Sequence, residues 1–442
     1  MGFKIVRENY GKLLLIGASL LMWLLLALLF RTAGEGRTWH LWQIDVQKMS
    51  FMDFRLIPGS AESFRHGFEP SVENPLDPNK RIFNYPAFWR LFFYTGITQA
   101  DTVWISISMI VLFFIAAFLF PEKLSILGAA AMLMVLFSPA SMLLYERGNV
   151  DLIVFVICVL SVLAAGRSAY LAALLIMFGS IVKLFPFFGV TVLLKEPRNK
   201  FLLLFTACSL VLAVYMIATW NSILGSWNLT MRGDGASYGT NVFVTRYGPA
   251  IARFLSTWLP PAQLGFLLKY GPLAAALLLL LAILIAACMN LYSPGIFSER
   301  NFAAFRMGAS IYVGTFLLGN NWDYRLAFLV LVVPQLVEWL RFPGKGIRAV
   351  SWLSLILVLL SCWHFWIVEI PLPSIFHSVE DTKKFWIILD EIFNWMLFAS
   401  LAYLLAASAP EWLKELPRNV LPRRGALKRS MNNTDVPRGR ES

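Results

Sequence analysis

The chain has 442 residues, of which 58% are hydrophobic and 14% charged, and a formal net charge of +12. Soluble proteins carry about a quarter charged residues, and here apolar runs long enough to cross ~30 Å of hydrocarbon recur from end to end. A soluble enzyme is thereby excluded and a single membrane domain, residues 1–407, is expected, followed by a basic, disordered cytoplasmic tail over 408–442 that lies against anionic lipid.

Taken in chain order, the first apolar run, 13–30, follows Lys4, Arg7 and Lys12. It is long for a signal sequence, and Arg31-Thr32-Ala33-Gly34 offers no small-x-small cleavage site, so a retained first helix is expected. Further passes are predicted at about 103–120, 125–145, 149–165, 201–219, 272–291, 308–318, 326–340, 349–367 and 385–407. The stretch 169–194 holds Lys183 and Pro186 near its middle. Proline removes a backbone donor and a mid-membrane lysine costs about 2.5–3.5 kcal/mol, so two short helices meeting at a polar tip are predicted there. The fold expected is an all-α bundle of about twelve passes, some short, with large outer loops at 31–102 and 220–271.

Charge placement orients that bundle. With both termini cytoplasmic, the cytoplasmic segments hold 21 basic and 9 acidic residues, and the other side 17 of each sign. The whole net charge is then cytoplasmic, as lysine and arginine bias requires, so it signals topology and no nucleic-acid partner is expected. Cys158, Cys208, Cys288 and Cys362 fall inside apolar runs without metal-type spacing and read as packing residues. No internal repeat is visible.

The outer side gathers the polar motifs. Ser50-Phe51-Met52-Asp53 opens a segment in which Phe54, Ile57, Ala61 and Phe64 recur at helical spacing and Gly67 closes it. An amphipathic helix lying on the membrane surface is predicted, with Asp53 either a helix cap or a carboxylate at a cavity mouth. Residues 74–89 form a chain of turns holding Asp77, Arg81, Asn84 and Tyr85. Glu146-Arg147-Gly148-Asn149-Val150-Asp151 reads as a tight turn, with Asn149 as cap, Asp151 in the first helical turn, and Glu146 and Arg147 as an ion pair. Asn321 and Asp323 lie in a second polar turn ending at Arg325, after a run too short to span. Such turns fit a sunken outer chamber shared with Lys183. His66 reads as a solvated loop histidine or an acceptor contact, and His364 as a packing residue.

These motifs resemble the GT-C superfamily of membrane glycosyltransferases, most of all the polyprenol-phosphate-dependent mannosyltransferase group, glycosyltransferase family 87. The likeness lies in Asp53 with Gly67 and Pro70, Asn84-Tyr85-Pro86, Gly148-Asn149, Lys183-Leu184-Phe185-Pro186 and Asp323-Tyr324-Arg325, over about residues 45–330. The family commonly has Gly-Gln before the asparagine where this chain has Arg147-Gly148. The resemblance implies an inverting transfer of a mannose-like hexose from a polyprenyl phosphate to a lipid or glycan acceptor on the outer face, in bacteria on the periplasmic side of the inner membrane. It implies Asp53 as catalytic base. Arg81, Lys183, Arg147 and Arg325 are the candidate cations for the donor phosphate, and Asp77, Asn84, Tyr85, Glu146, Asn149, Asn321, Asp323 and His66 are candidate substrate contacts. A phosphate already carries its charge well on leaving, and the outer loops hold no Asp-x-Asp, so neither metal nor other cofactor is expected. The competing readings are a lipid-linked oligosaccharide polymerase or ligase, disfavoured by the short late outer loop 368–384, and a transporter or flippase.

Overall fold

A computed structural model describes residues 2–229, 236–289, 298–373, 375–376 and 378–420. It is almost wholly helical. The first part of the chain forms α1 (Gly2–Ala33), α2 (Glu35–His40), α3 (Met52–Arg65), α4 (Thr102–Leu119), α5 (Ile126–Leu136) and α6 (Pro139–Arg147). Next come α7 (Asp151–Ala165), α8 (Ala169–Val182), α9 (Arg198–Ala218), α10 (Trp220–Leu229), α11 (Val242–Leu255) and α12 (Pro261–Met289). The last part contains α13 (Glu299–Leu317), α14 (Val333–Trp339), α15 (Lys345–Cys362), α16 (His364–Ile367), α17 (Val379–Ala407) and α18 (Glu411–Val420). Four 3-10 segments, Ala87–Tyr94, Gln99–Asp101, Phe185–Lys195 and Asp323–Leu331, fill the remaining turns.

Serine sets many of these helix starts. Ser125, Ser138, Ser168, Ser298 and Ser378 each accept a bond from a first-turn amide, satisfying a donor that the helix itself leaves free. At Ser138 the cap is followed by Pro139, and α5 and α6 meet there at 50°. Among the described residues six helices are long and apolar enough to cross a membrane, seven if this bent pair is one span. The chain is therefore a membrane-embedded, multi-pass helical protein, and the twelve-pass count goes beyond what length and composition establish.

The layers follow from burial. Helices α13 and α14 and the segment Asp323–Leu331 are buried on nearly every side, and α7 packs beside them. Helices α1, α9 and α12 stand outside and present leucine, isoleucine and valine outward, as lipid contact demands. Two-residue strands, β1 (Ser237–Tyr238) and β2 (Asn321–Trp322), pair antiparallel and bind the segment before α11 to the polar turn after α13.

Several expectations change. The run 308–318 is part of a 19-residue helix, because Asn301 and Arg306 upstream are buried with partners: Arg306 Nη2 donates to Ser408 O at 2.8 Å and its guanidinium lies 4.3 Å over the Phe302 ring. The loop 220–271 is mostly helical, and α12 begins at Pro261. Helix α3 does not lie flat on lipid. Its residues from Met52 to Ala61 are buried all round except Asp53, packed between Ala87–Tyr94, α4 and α6. The expected break in 169–194 is present, with Lys183 extended between α8 and Phe185–Lys195. Of the expected tail, 411–420 is helical, and 421–442 lies outside the described residues.

Asn301 illustrates how the bundle closes at the end opposite the polar turns. Its amide donates to Lys123 O at 2.9 Å and Glu338 Oε1 at 2.6 Å and accepts from Glu122 N at 2.9 Å. Asn301→Ala removes three bonds that tie two backbone groups and Glu338 together in a partly buried place, an expected loss of about 1 kcal/mol or more. Thermal unfolding of the purified protein in detergent should show a lower midpoint, and an unchanged midpoint would remove Asn301 from this bracing role.

Candidate active site

Helix α3 starts abruptly. Phe51, its preceding residue, adopts a left-handed backbone (φ 61°) and its amide donates to Glu146 O at 2.9 Å. Ser50 turns its hydroxyl to Glu35 Oε1 at 2.6 Å, so the predicted capping box does not form. The Asp53 carboxylate is left for other work. Asn149 Nδ2 donates to its Oδ2 at 2.7 Å, Arg81 Nη1 lies 4.0 Å from its Oδ1, and its side chain keeps 23% exposure, enough to meet a ligand.

Asn149 is delivered by Gly148, which ends α6 at φ +57°. A Cβ there would lie 2.9 Å from both Phe51 Cβ and Ser106 Oγ, so the turn requires glycine. Asn149 Oδ1 accepts from Asp151 N at 3.0 Å, the expected helix-start role, and also from Lys183 Nζ at 3.2 Å. One amide thus joins Asp53 to Lys183.

Asp151, fully buried, is the counter-charge of the cations. Lys183 Nζ lies 2.5 Å from its Oδ1 and Arg325 Nε 3.2 Å from its Oδ2. Arg325 also donates to Asn321 Oδ1 and lies over the Phe185 ring at 4.9 Å. The Lys183 ammonium stands between the rings of Tyr85, at 6.0 Å, and Tyr324, at 5.9 Å. Tyr85 in turn donates to Asp53 O at 3.2 Å. Burial first, and then the Asp53 carboxylate, hold the Tyr85 phenol well above its ordinary pKa, so it remains a neutral hydroxyl. Trp89 Nε1 donates to Val182 O at 3.0 Å, fixing the first loop to the chain break beside Lys183.

The predicted site residues therefore separate into groups. Asp53, Arg81, Tyr85, Asn149, Lys183 and Arg325 form one connected set, although 272 positions separate the first from the last. Asp77 is committed elsewhere: its side chain, with no exposure, accepts from Asn79 N, Arg81 N and the Arg81 guanidinium, so it shapes the loop and is closed to a substrate. Those bonds to Asp77 outweigh burial and hold the Arg81 pKa above its ordinary value. Asn321 is likewise occupied by Thr315 O and Arg325. Arg147 and Glu146 form the expected ion pair, at 2.6 Å, beside the set. Asn84 is half-buried next to Tyr85. His66 bonds Glu62 O at the far end of α3, about 20 Å along the helix from Asp53. Asp323 faces the other way, 3.2 Å from His364 Nε2, within reach of the charges of Asp390 and Glu391 on α17.

Asp151 and Tyr324 are the members that sequence reasoning missed. The available signal was electrostatic: two cations below a membrane surface need a buried anion, and Asp151 was the acid opening the next helix. Comparison with protein-family models, curated proteins and solved structures finds no match to this chain.

Removing the counter-charge alone is expected to be costly. Asp151→Asn leaves Lys183 and Arg325 unpaired, an expected loss of about 3–5 kcal/mol, and adding Lys183→Met to it should recover part of that loss. Thermal stability of the two single variants and the double variant forms the cycle. Simple additivity would mean that the pair is not coupled.

Proposed function

We propose that the protein is an inverting glycosyltransferase that moves a hexose from a polyprenyl-phosphate donor to a hydroxyl of a lipid or glycan acceptor, at the outer face of the membrane. The observation that carries the reading is a partly exposed carboxylate, Asp53, held 2.7 Å from Asn149 and in one hydrogen-bonded set with Lys183 and Arg325. An acceptor hydroxyl attacks the anomeric carbon while the bond from that carbon to the phosphate oxygen breaks. The hydroxyl proton passes to Asp53, and the polyprenyl phosphate leaves with the bonding pair.

Each neighbour has a part in that scheme. Asn149 orients Asp53 so that one oxygen faces the acceptor. Arg81, 4.0 Å away, flanks Asp53 without closing on it. Lys183 and Arg325 stabilise charge on the departing phosphate from positions fixed in advance by Asp151. Phosphate leaves as an anion, so the scheme needs neither a strong general acid nor a metal ion. The resemblance to glycosyltransferase family 87, the outer placement and the twelve-pass topology belong to the same proposal. A transporter is the second reading, favoured by Asp390 and Glu391, which are buried in the middle of α17 away from Asp53.

The test is transfer of labelled hexose from polyprenyl-phosphate donors to a membrane extract by purified protein. Asp53→Asn is expected to lower turnover by at least ~10²-fold, at the low end for a lost general base, with an unchanged unfolding midpoint. Transfer near the wild-type rate would take the base role from Asp53. Transfer should persist in EDTA, and loss in EDTA with recovery on adding a divalent cation would contradict the scheme. Lys183→Met is expected to weaken donor use, and unchanged donor KM and kcat would return Lys183 to a purely structural pairing. Absence of transfer with every donor, from folded protein, would favour the transporter.

A further inference from the structure

Beside the Asp53 set lies a cavity of about 270 Å³ that no role discussed above uses. Its lining combines Ser71, Phe83 and Arg90 of the first loop with Asn221, Ser222 and Ser226 of α10. Helix α10 has two faces. Asn221, Ser222, Gly225 and Ser226 share the one that meets the cavity, at helical spacing. Trp220, Leu224 and Trp227 share the other, and all three are exposed as a lipid-facing stripe would be.

The chemistry of the lining is that of a neutral, hydroxyl-rich ligand. Three hydroxyls, of which Ser71 and Ser226 also bond within the protein, and an amide supply donors and acceptors, and Phe83 and Leu229 supply apolar walls. The one cation is already neutralised: Arg90 Nη2 lies 3.0 Å from both Glu69 carboxylate oxygens and its Nη1 donates to Ser71 Oγ at 2.8 Å. A phosphate would have to compete with the Glu69 carboxylate for this guanidinium.

Gly225 lies on the same wall, and an added Cβ there would meet nothing within 4 Å, so the space beside α10 is open at that point.

The cavity is also connected to the proposed base. Ser226 Oγ lies 3.5 Å from Tyr85 O, and the hydroxyl of the same tyrosine reaches Asp53 O at 3.2 Å. The Phe83 ring lies 6.2 Å from the Tyr85 ring. One tyrosine thus runs from the lining of the cavity to the backbone of Asp53.

We propose that this cavity is an acceptor subsite that binds an uncharged sugar ring neighbouring the one whose hydroxyl reacts. The assignment rests on the glycosyltransferase reading for the word acceptor, while sugar binding itself does not require it. The test uses the full chain in a sugar-free amphipol, with maltose, cellobiose and an α-linked mannobiose as probes and glucose 6-phosphate as the charged control, read by saturation-transfer NMR. At least one neutral disaccharide should bind the wild-type protein in preference to the phosphate. Gly225→Leu, which projects a side chain into the space, and Ser222→Leu, on the same wall, should each weaken that binding by about tenfold or more. Asp53→Asn should leave it unchanged.

In the transfer assay both cavity variants should raise the acceptor KM with little change in kcat. Binding of a neutral disaccharide that the cavity variants lose, in a protein that transfers no hexose, would keep the sugar site and remove the transferase reading. Transfer with an unaltered acceptor KM in both variants, equal disaccharide binding by both, or failure of all three disaccharides to bind the wild-type chain would overturn the subsite.

Discussion

The buried carboxylate of Asp151 is the constraint on which the polar end of this molecule depends. It opens α7, yet the two cations that it neutralises come from the break after α8 and from the turn after α13. In a low-dielectric interior neither Lys183 nor Arg325 is tolerable without it, and neither is placed without the other. Three segments that hydrophobic packing alone would leave free to slide are therefore registered through two atom pairs. Asn149, two residues earlier, extends the register to Asp53, so the candidate base takes its position from the bundle rather than from the first loop.

Much of the fold was legible because lipid imposes a simple code. Long apolar runs gave α1, α4, α9, α12, α15 and α17, and a lysine with a proline inside an apolar stretch gave the break at Lys183. Hydropathy failed where a polar residue is satisfied by something distant in sequence. It began the run 308–318 too late because it scores Arg306 as a charge and has no knowledge of the Ser408 carbonyl that receives it.

The site was legible as a set of residues and illegible as a network. Asp53, Lys183 and Arg325 stand out as charges at the ends of apolar runs. Their mediation by Asn149 and Asp151 does not, since it spans separations of 96 and 174 positions that no local pattern encodes. Local pattern was misleading at Ser50, where a capping sequence is overruled by Phe51 docking on the α6 carbonyl of Glu146. It was incomplete at Asp77, which has the composition of a ligand but is filled by the amides and guanidinium of its own loop. Asp323 and Arg325, two positions apart, serve opposite sides of the same turn.

The rings that flank Lys183 bear on how the proposed donor phosphate would be received. Counted formally, and with Asp77 included as the partner of Arg81, three carboxylates balance three cations, so the set and its loop carry no net charge with which to attract one. What it holds is direction. Of the three N–H groups of an ammonium, Lys183 gives one to Asp151 and one to Asn149, and the aromatic walls of Tyr85 and Tyr324 narrow the approach to the third. Of the five on a guanidinium, Arg325 commits two, to Asp151 and Asn321. The remaining donors are aimed by ion pairs that need not break when they are used. On the proposed function, donor recognition is a matter of vacant valence at fixed angles, which ionic strength screens far less than it screens a field.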